Sequence, residues 1–380
     1  MSAISATSAT AEIPLARPLL GSAEINAAER VLRSGRLVIG PENARFEQEL
    51  AERTGRAHAV AVTSGTTALE LTLWALGVGD GDEVIISAFG FPAAVNAVLR
   101  MGARPVAVDV DPGTWNTTPD GITAARTDKT KAVVSIDQLG LTAEAAGLRQ
   151  VCAQHDLLLI DDAACAFGGC DSAQVPGGGY GVAGTLSFHP RKVITTGEGG
   201  AIVTDDPELD TALRRLRNQG QAGRGVFDRI GTNARLGEIN AAVGCAQLVR
   251  LDEMLAERRL LATGYRERLA NVEQAGRLSW QQVPDGAMHT HQTLTVLLAE
   301  GVRRDAVCAQ LTDAGIESGP ATYAFTRLDS FASVVDAAKS YPVADALHER
   351  LLALPLYCGM RSAELDRVCD VLSEAVDEQA

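Results

Sequence analysis

From about residue 58 onward, short apolar runs alternate with stretches of helical periodicity. His58–Val62 reads as a strand, and Thr66–Leu76 as a helix with Leu69, Leu73 and Leu76 on one face. Glu83–Ser87, Pro105–Asp109, Ala132–Ile136 and Leu157–Ile160 predict further strands, and Pro92–Met101 and Ala143–His155 predict helices. The strand runs are continuously apolar, which implies cover on both faces of the sheet. Strands separated by helical segments point to an α/β fold with a mainly parallel sheet.

The pattern changes in the second half. Thr185–Phe188 and Ala201–Thr204 read as two more strands, with the turn-rich segment Thr195–Gly200 between them. A proline-free helical stretch runs from Leu236 to about Leu269 and is expected to link a large domain to a smaller one. Thr293–Leu298 predicts a strand, and Arg303–Ala314, Val343–Leu352 and Ala363–Val376 predict helices. The expected organisation is a disordered tail over 1–12, a large domain over 13–255 and a smaller α+β domain over 256–380.

With 380 residues, 46% hydrophobic and 22% charged, the chain can bury a full core without disulfides or metal. The formal net charge of −14 argues against nucleic acid and anionic membranes as partners. Seven cysteines at irregular spacing, with no C-x-x-C, suit a reducing compartment, so a cytoplasmic location is expected. The first residues show no signal peptide, and no apolar run reaches the roughly 18 residues of a membrane helix.

Three segments could carry chemistry. Ser64-Gly65-Thr66-Thr67 lies between a strand and a helix, where free N–H groups and hydroxyls can cradle a phosphate or simply cap the helix. Asp162, in Ile160-Asp161-Asp162-Ala163-Ala164, sits at the carboxyl end of a buried strand, the usual ligand edge of an open α/β sheet. A buried carboxylate there needs a cationic or hydrogen-bonding partner, such as a protonated pyridine nitrogen; otherwise it caps a loop. Lys192 follows the strand residue Ser187 in Ser187-Phe188-His189-Pro190-Arg191-Lys192, where a lysine of lowered proton affinity could attack an aldehyde.

Other patterns carry less. Gly179-Tyr180-Gly181-Val182-Ala183-Gly184 matches G-x-G-x-x-G, but it precedes a strand instead of opening a helix, so it reads as a flexible loop and not an NAD site. His289 and His291 lack an acidic or thiol partner at metal-ligand spacing, so no metal is expected. Arg224 and Arg229 are solvated loop arginines or contacts to a substrate phosphate or carboxylate.

Taken in order, these anchors resemble the DegT/DnrJ/EryC1/StrS sugar aminotransferases, which have the fold of type I pyridoxal 5′-phosphate (PLP) enzymes. The match runs from about Pro18 to Val376 and is strongest in SFHPRKVITTGEGGAIVT (187–204). SGTTALEL (64–71), GDEVI (81–85), GARPVAVDVD (102–111), GTNARLGEINAAVG (231–244) and LALPLY (352–357) support it. The resemblance implies that Lys192 holds PLP as a Schiff base and then shuttles a proton between the substrate Cα and the cofactor C4′. It implies that Asp162 pairs with the pyridine nitrogen and Phe91 stacks on the ring. Gly65, Thr66 and Ser187 would hold the phosphate within the 64–67 turn that also contains Thr67. Asn233 would reach that phosphate from a neighbouring subunit, which makes the working unit a homodimer. Where the family often carries glutamine or histidine against the ring hydroxyl, this chain has Cys165, a weaker hydrogen-bond partner.

The implied reaction moves an amino group from an amino acid, glutamate or glutamine, to a keto sugar, nucleotide-linked, or to a keto cyclitol. Sugar recognition is expected from loops 171–181 and 219–230. Two rivals remain at this point. Similar sugar dehydratases carry histidine in place of the Schiff-base lysine, so Lys192 favours transamination. A non-catalytic relative would not need Lys192, Asp162, Ser187 and Asn233 together.

Overall fold

A computed structural model describes residues 13–336 and 338–379. The tail expected over 1–12 lies outside the described residues. The chain opens with α1 (Ser22–Ser34) and α2 (Pro41–Thr54), then β1 (His58–Val62), α3 (Gly65–Ala75), β2 (Glu83–Ser87), β3 (Phe89–Gly90), α4 (Ala93–Arg100) and β4 (Arg104–Val108). It continues through α5 (Pro119–Ala125), β5 (Thr130–Ile136), α6 (Ala145–Gln154), β6 (Leu158–Asp162), β7 (Ala183–Ser187), β8 (Gly200–Thr204), α7 (Pro207–Leu216), β9 (Gln221–Gly223) and β10 (Val226–Phe227). The remainder comprises α8 (Glu238–Leu248), α9 (Leu251–Arg268), α10 (Ala270–Gln274), β11 (Leu278–Ser279), β12 (Leu294–Leu298), α11 (Arg304–Asp313), β13 (Gly319–Pro320), β14 (Tyr323–Ala324), α12 (Pro342–Arg350), β15 (Leu351–Leu354) and α13 (Ser362–Asp377).

Seven strands form the main sheet in the order β1-β8-β7-β6-β5-β2-β4. Only β8 runs against the others; the β7–β6–β5–β2–β4 pairings are all parallel. Alternate residues of each strand enter different cores. Val84, Ile86, Ala132, Val134 and Ile160 pack with α3 and α4, whereas Ile85, Val133 and Leu159 pack with α5 and α6. Burial on both faces is why these strands read as unbroken apolar runs. The chain has the α/β fold of type I PLP enzymes.

A second, antiparallel sheet in the order β11-β12-β15-β13 carries its own core with α9, α11 and α13. The two regions are stitched together. Tyr323–Ala324 pairs with Phe89–Gly90, and the Ile13–Leu15 segment bridges Ile316 and accepts the Leu356 N–H. Among the described residues no helix is long and apolar enough to cross a membrane.

Several expected boundaries move. The 236–269 helix is two helices, α8 and α9, broken at Val249–Arg250. No proline or glycine marks the break. Gln247 and Arg250 both turn onto Glu24 of α1, at 2.8 and 2.5 Å, before the chain changes direction into the second core. The helix expected over 343–352 stops at Arg350, because Leu351–Leu354 is drawn into the second sheet beside β12. The segment 179–184, read as a flexible loop, is tightly packed and its last two residues open β7: a Cβ on Gly181 (φ +74) would lie 2.3 Å from the Leu159 carbonyl oxygen, and Tyr180 is fully buried.

Glu47 of α2 holds three elements together. Its Oε1 accepts from Arg217 Nη1 at 2.5 Å and from the Ala61 N–H at 2.9 Å, and its Oε2 accepts from Arg214 Nη1 at 2.7 Å. Both Glu47 and Arg217 are buried. Glu47→Ala leaves the Arg217 cation without its carboxylate and is expected to cost about 3–5 kcal/mol of stability. Urea unfolding would show this as a lower midpoint with an unchanged slope.

Candidate active site

The carboxyl ends of β1, β5, β6 and β7 open into a cavity of about 450 Å³, closed from the other side by residues of the second sheet and by Leu15–Ala16. This is where an open parallel sheet binds ligands. Gly65, Thr66, Phe91, Asp162, Cys165, Ser187 and Lys192 all line it.

At the end of β1, Ser64 is the N-cap of α3, and its Oγ accepts the Thr67 N–H at 3.1 Å. That leaves the N–H groups of Gly65 and Thr66 without an intrahelical acceptor. Thr67 is occupied in the cap, its hydroxyl 2.9 Å from Ser64 Oγ, and does not line the cavity. Gly65 permits close approach to β7: a Cβ there would fall 2.8 Å from Ser187 Cβ. The helix terminus and the Ser187 hydroxyl therefore share one small polar corner.

Asp162 is the last residue of β6, between Ile136 of β5 and Thr185 of β7. Both of its side-chain hydrogen bonds fall on Oδ1, from the Ala164 N–H and the Thr185 hydroxyl, each at 3.3 Å. Burial pushes this carboxyl above the usual aspartate range; the Lys192 ammonium, the Ala164 N–H and the Thr185 hydroxyl pull against it.

Lys192 sits in the β7–β8 connection. Phe188 and Ile194 bury beneath that loop, and Phe188 N–H bonds to Gly199 O while Thr196 N–H and Thr195 Oγ1 bond to Phe188 O. Asn240 of α8 grips Thr196 O at 2.7 Å. The loop is thus rigid, and its lysine reaches the cavity with Nζ 3.1 Å from Cys165 Sγ. Phe91 is 68% exposed at the cavity rim, which is not the environment of a packing residue.

Asn233 is exposed, pairs with Asn218 in an antiparallel bridge, and lies outside the cavity of its own chain. Loops 171–181 and 219–230, expected to recognise sugar, do not line the cavity either. Arg229 lies 3.7 Å from Asp228 and Arg224 is exposed. His289 and His291 stack with ring centroids 4.2 Å apart, and His289 Nε2 meets Gln281 Oε1 at 3.0 Å. Among the described residues no group of three or more His, Cys, Asp or Glu could hold a metal ion.

The sequence reading missed Gln138, Gln292 and Thr322, all of which line the cavity. Gln138 follows the carboxyl end of β5 as Asp162 closes β6, so strand position alone could have found it. Gln292 and Thr322 arrive from distant segments and carry no local signal.

Residues 18–373 match the sequence model of the DegT/DnrJ/EryC1/StrS aminotransferase family. The chain belongs to this family. It is a PLP-dependent aminotransferase. It is 37% identical to GDP-perosamine synthase of Caulobacter vibrioides over 335 residues, which are 87% of this chain and 89% of the relative. The aminotransferase TlmJ of Streptoalloteichus hindustanus superposes with a TM-score of 0.90 at 32% identity, covering 96% of this chain and 99% of that one. Spr1654 of Streptococcus pneumoniae, solved in a PLP form, superposes with a TM-score of 0.89 at 26% identity, covering 96% and 98%.

Proposed function

We propose that this cavity carries amino transfer from an amino acid, glutamate or glutamine, to the keto group of a sugar, nucleotide-linked, or of a keto cyclitol, within surface polysaccharide or natural-product biosynthesis. The observation that carries the reading is the convergence of an amine, a buried carboxylate and a helix N-terminus on one cavity: Lys192, Asp162 and the start of α3. The similarity to GDP-perosamine synthase supports a sugar acceptor.

The residues suit PLP. The free N–H groups of Gly65 and Thr66 and the Ser187 hydroxyl offer a donor set for a phosphate, in a corner that a Cβ on Gly65 would fill. Among the described residues the hydrogen bonds to Asp162 fall on Oδ1, which leaves Oδ2 as an acceptor for a protonated ring nitrogen. Phe91 offers an exposed ring at the rim, and Cys165 turns its thiol to Lys192 rather than filling the place of a strong donor. PLP when bound supplies an aldehyde and an electron-withdrawing ring. Lys192 Nζ is the covalent anchor; once displaced by the donor, it takes the proton from the donor Cα and later returns one to the acceptor carbon. Asp162 keeps the ring nitrogen protonated. The second sheet and Leu15–Ala16 form the wall of the cavity opposite the sheet end.

Glutamate alone is expected to bleach the visible band of the holoenzyme and release one equivalent of keto acid, and a keto sugar nucleotide to restore the band. A band unmoved by both glutamate and glutamine would refute the reading. Gly65→Ala, forced against Ser187, is expected to weaken cofactor retention about tenfold or more, the scale of 1–3 kcal/mol of overpacking; equilibrium dialysis measures it.

The same reading makes the enzyme a cytoplasmic homodimer. All seven cysteines are unpaired. Leu37, Val38, Ile39, Val226, Phe227 and Ile230 are exposed, in two segments suited to contact with a second copy. Asn233, held beside the β9–β10 hairpin, would complete the partner's phosphate site. Mixing Lys192→Ala with Asn233→Ala subunits is expected to recover activity, since one site of the mixed dimer keeps both residues. We retain a division at 255/256 as part of the proposal. It is supported by α9, whose Leu251, Met254 and Leu255 enter one core and whose Ala262 and Tyr265 enter the other.

A further inference from the structure

Behind Asp162 lie two more carboxyls that the reaction does not use. Asp137 and Asp161 are both fully buried. Asp161 precedes Asp162 on β6, so its side chain leaves the opposite face of the strand. Asp137 follows the end of β5, and its N–H bonds the Asp162 carbonyl. Asp137 Oδ1 accepts from the Tyr180 hydroxyl and the Ala143 N–H, each at 2.8 Å, while Asp161 Oδ2 accepts from the Gly178 N–H at 2.7 Å. One oxygen of each, Asp137 Oδ2 and Asp161 Oδ1, is sealed from solvent with no donor. Ser135 pairs with Asp161 across β5 and β6, and the Tyr180 hydroxyl spans Ser135 Oγ at 3.3 Å and Asp137 Oδ1 at 2.8 Å, so Asp137 and Asp161 share one face of the sheet.

Two bare anionic oxygens facing each other in a dry interior would be repulsive and unsolvated. A single proton between them satisfies both. We propose that Asp137 and Asp161 share one proton at neutral pH, carried on Asp161 Oδ1 and donated to Asp137 Oδ2, so that the pair holds one negative charge and Asp162 is left as the ionised carboxylate facing the cavity. The proton belongs on Asp161 because Asp137 has two donors for its charge and Asp161 has one. Burial, the main cause, pushes both carboxyls up, and the charge of Asp137 pushes Asp161 further. Of the other groups facing the pair, Tyr180 is held as a neutral phenol by burial and Ser135 is neutral; the Arg56 cation pulls Asp161 down, against the larger effects of burial and Asp137, while its own hydrogen bonds go to the Gly178 and Gly181 carbonyls and to Asp205. The charge of Asp162 adds to the burial that raises both carboxyls, so an ionised Asp162 favours the proton on the pair.

The functional meaning rests on the pairing of Asp162 with the cofactor; the proton itself is read from the protein, so the two can fail separately. Infrared difference spectra of the holoenzyme at neutral pH are expected to contain a protonated carboxyl band that survives Asp162→Asn and disappears in Asp161→Asn. Asparagine at 161 can accept from Gly178 and donate to Asp137, so the variant should fold. It should also lose a pH dependence. Unfolding releases the shared proton above the ordinary aspartate range, so wild-type stability falls as pH rises until the folded pair itself deprotonates. Relative to Asp161→Asn, the wild-type unfolding constant should rise by up to about tenfold per pH unit across that window. A wild-type spectrum without the band, which needs no variant, overturns the proposal. So does a band that persists in Asp161→Asn but vanishes in Asp162→Asn, since the proton would then sit on Asp162.

Discussion

Lys192→Ala is expected to abolish transamination, with a loss of at least about 10³-fold, because in the proposed reaction one side chain supplies both the covalent anchor and the proton carrier. The purified variant should lack the visible band of the lysine-bound cofactor while keeping the wild-type far-ultraviolet circular dichroism. The fold should survive because the β7–β8 loop is held by Phe188, Ile194, Thr195 and Asn240, none of which uses the lysine amine. Added primary amines should restore part of the proton-transfer step, since the cavity loses the volume of the side chain. A variant with normal turnover would remove Lys192 from the chemistry.

Asp162→Asn is expected to lower kcat by about 10²–10³-fold, the scale on which removal of one preorganised electrostatic partner acts. An amide cannot hold a ring nitrogen protonated, so the electron sink weakens while the phosphate corner at Gly65, Thr66 and Ser187 is untouched. Cofactor binding should therefore change less than turnover. Stability should behave differently. In the free protein the Asp162 carboxylate sits in a buried place that disfavours its charge, with Lys192 as the opposing cation. Neutral asparagine relieves that cost, so the cofactor-free variant should melt no lower than the cofactor-free wild type. Differential scanning calorimetry on both proteins separates this result from simple damage to the strand.

The main sheet was readable because its strands are buried on both faces. Val84–Ile86, Ala132–Val134 and Leu159–Ile160 send neighbours into opposite cores, and each run is therefore apolar at every position. Helices α1 and α2 were not readable in the same way. In α1 only Ala27 and Val31 are buried among the apolar residues, while Ile25 and Leu32 are exposed, so the stripe is too thin to stand out. Leu351–Leu354 illustrates a different limit. Four apolar residues after a helix can extend it or start a strand, and pairing with Leu294–Leu297 decided the matter.

Lys192, Asp162, Ser187 and the Ser64–Thr67 turn were legible as chemistry because each lies at the end of an apolar run, and their order along the chain matched one family. Gln138, Gln292 and Thr322 were not, although they line the same cavity. Loops 171–181 and 219–230 do not line the cavity of their own chain, since packing and not a loop's own residues sets which cavity it faces.

The amino-acid sequence alone determined the α/β class and the family, and it singled out Gly65, Thr66, Phe91, Asp162, Cys165, Ser187 and Lys192, which line one cavity, because strand burial and residue type are local properties written position by position. The tertiary structure alone decided that Lys192 lies beside Cys165, that Thr67 is occupied as part of a cap, that Gly65 is a contact point with Ser187, and that Asp137 and Asp161 each bury an oxygen without a donor. Those facts depend on the register of strands far apart in the chain, and register is fixed by packing across the sheet, which no single segment contains.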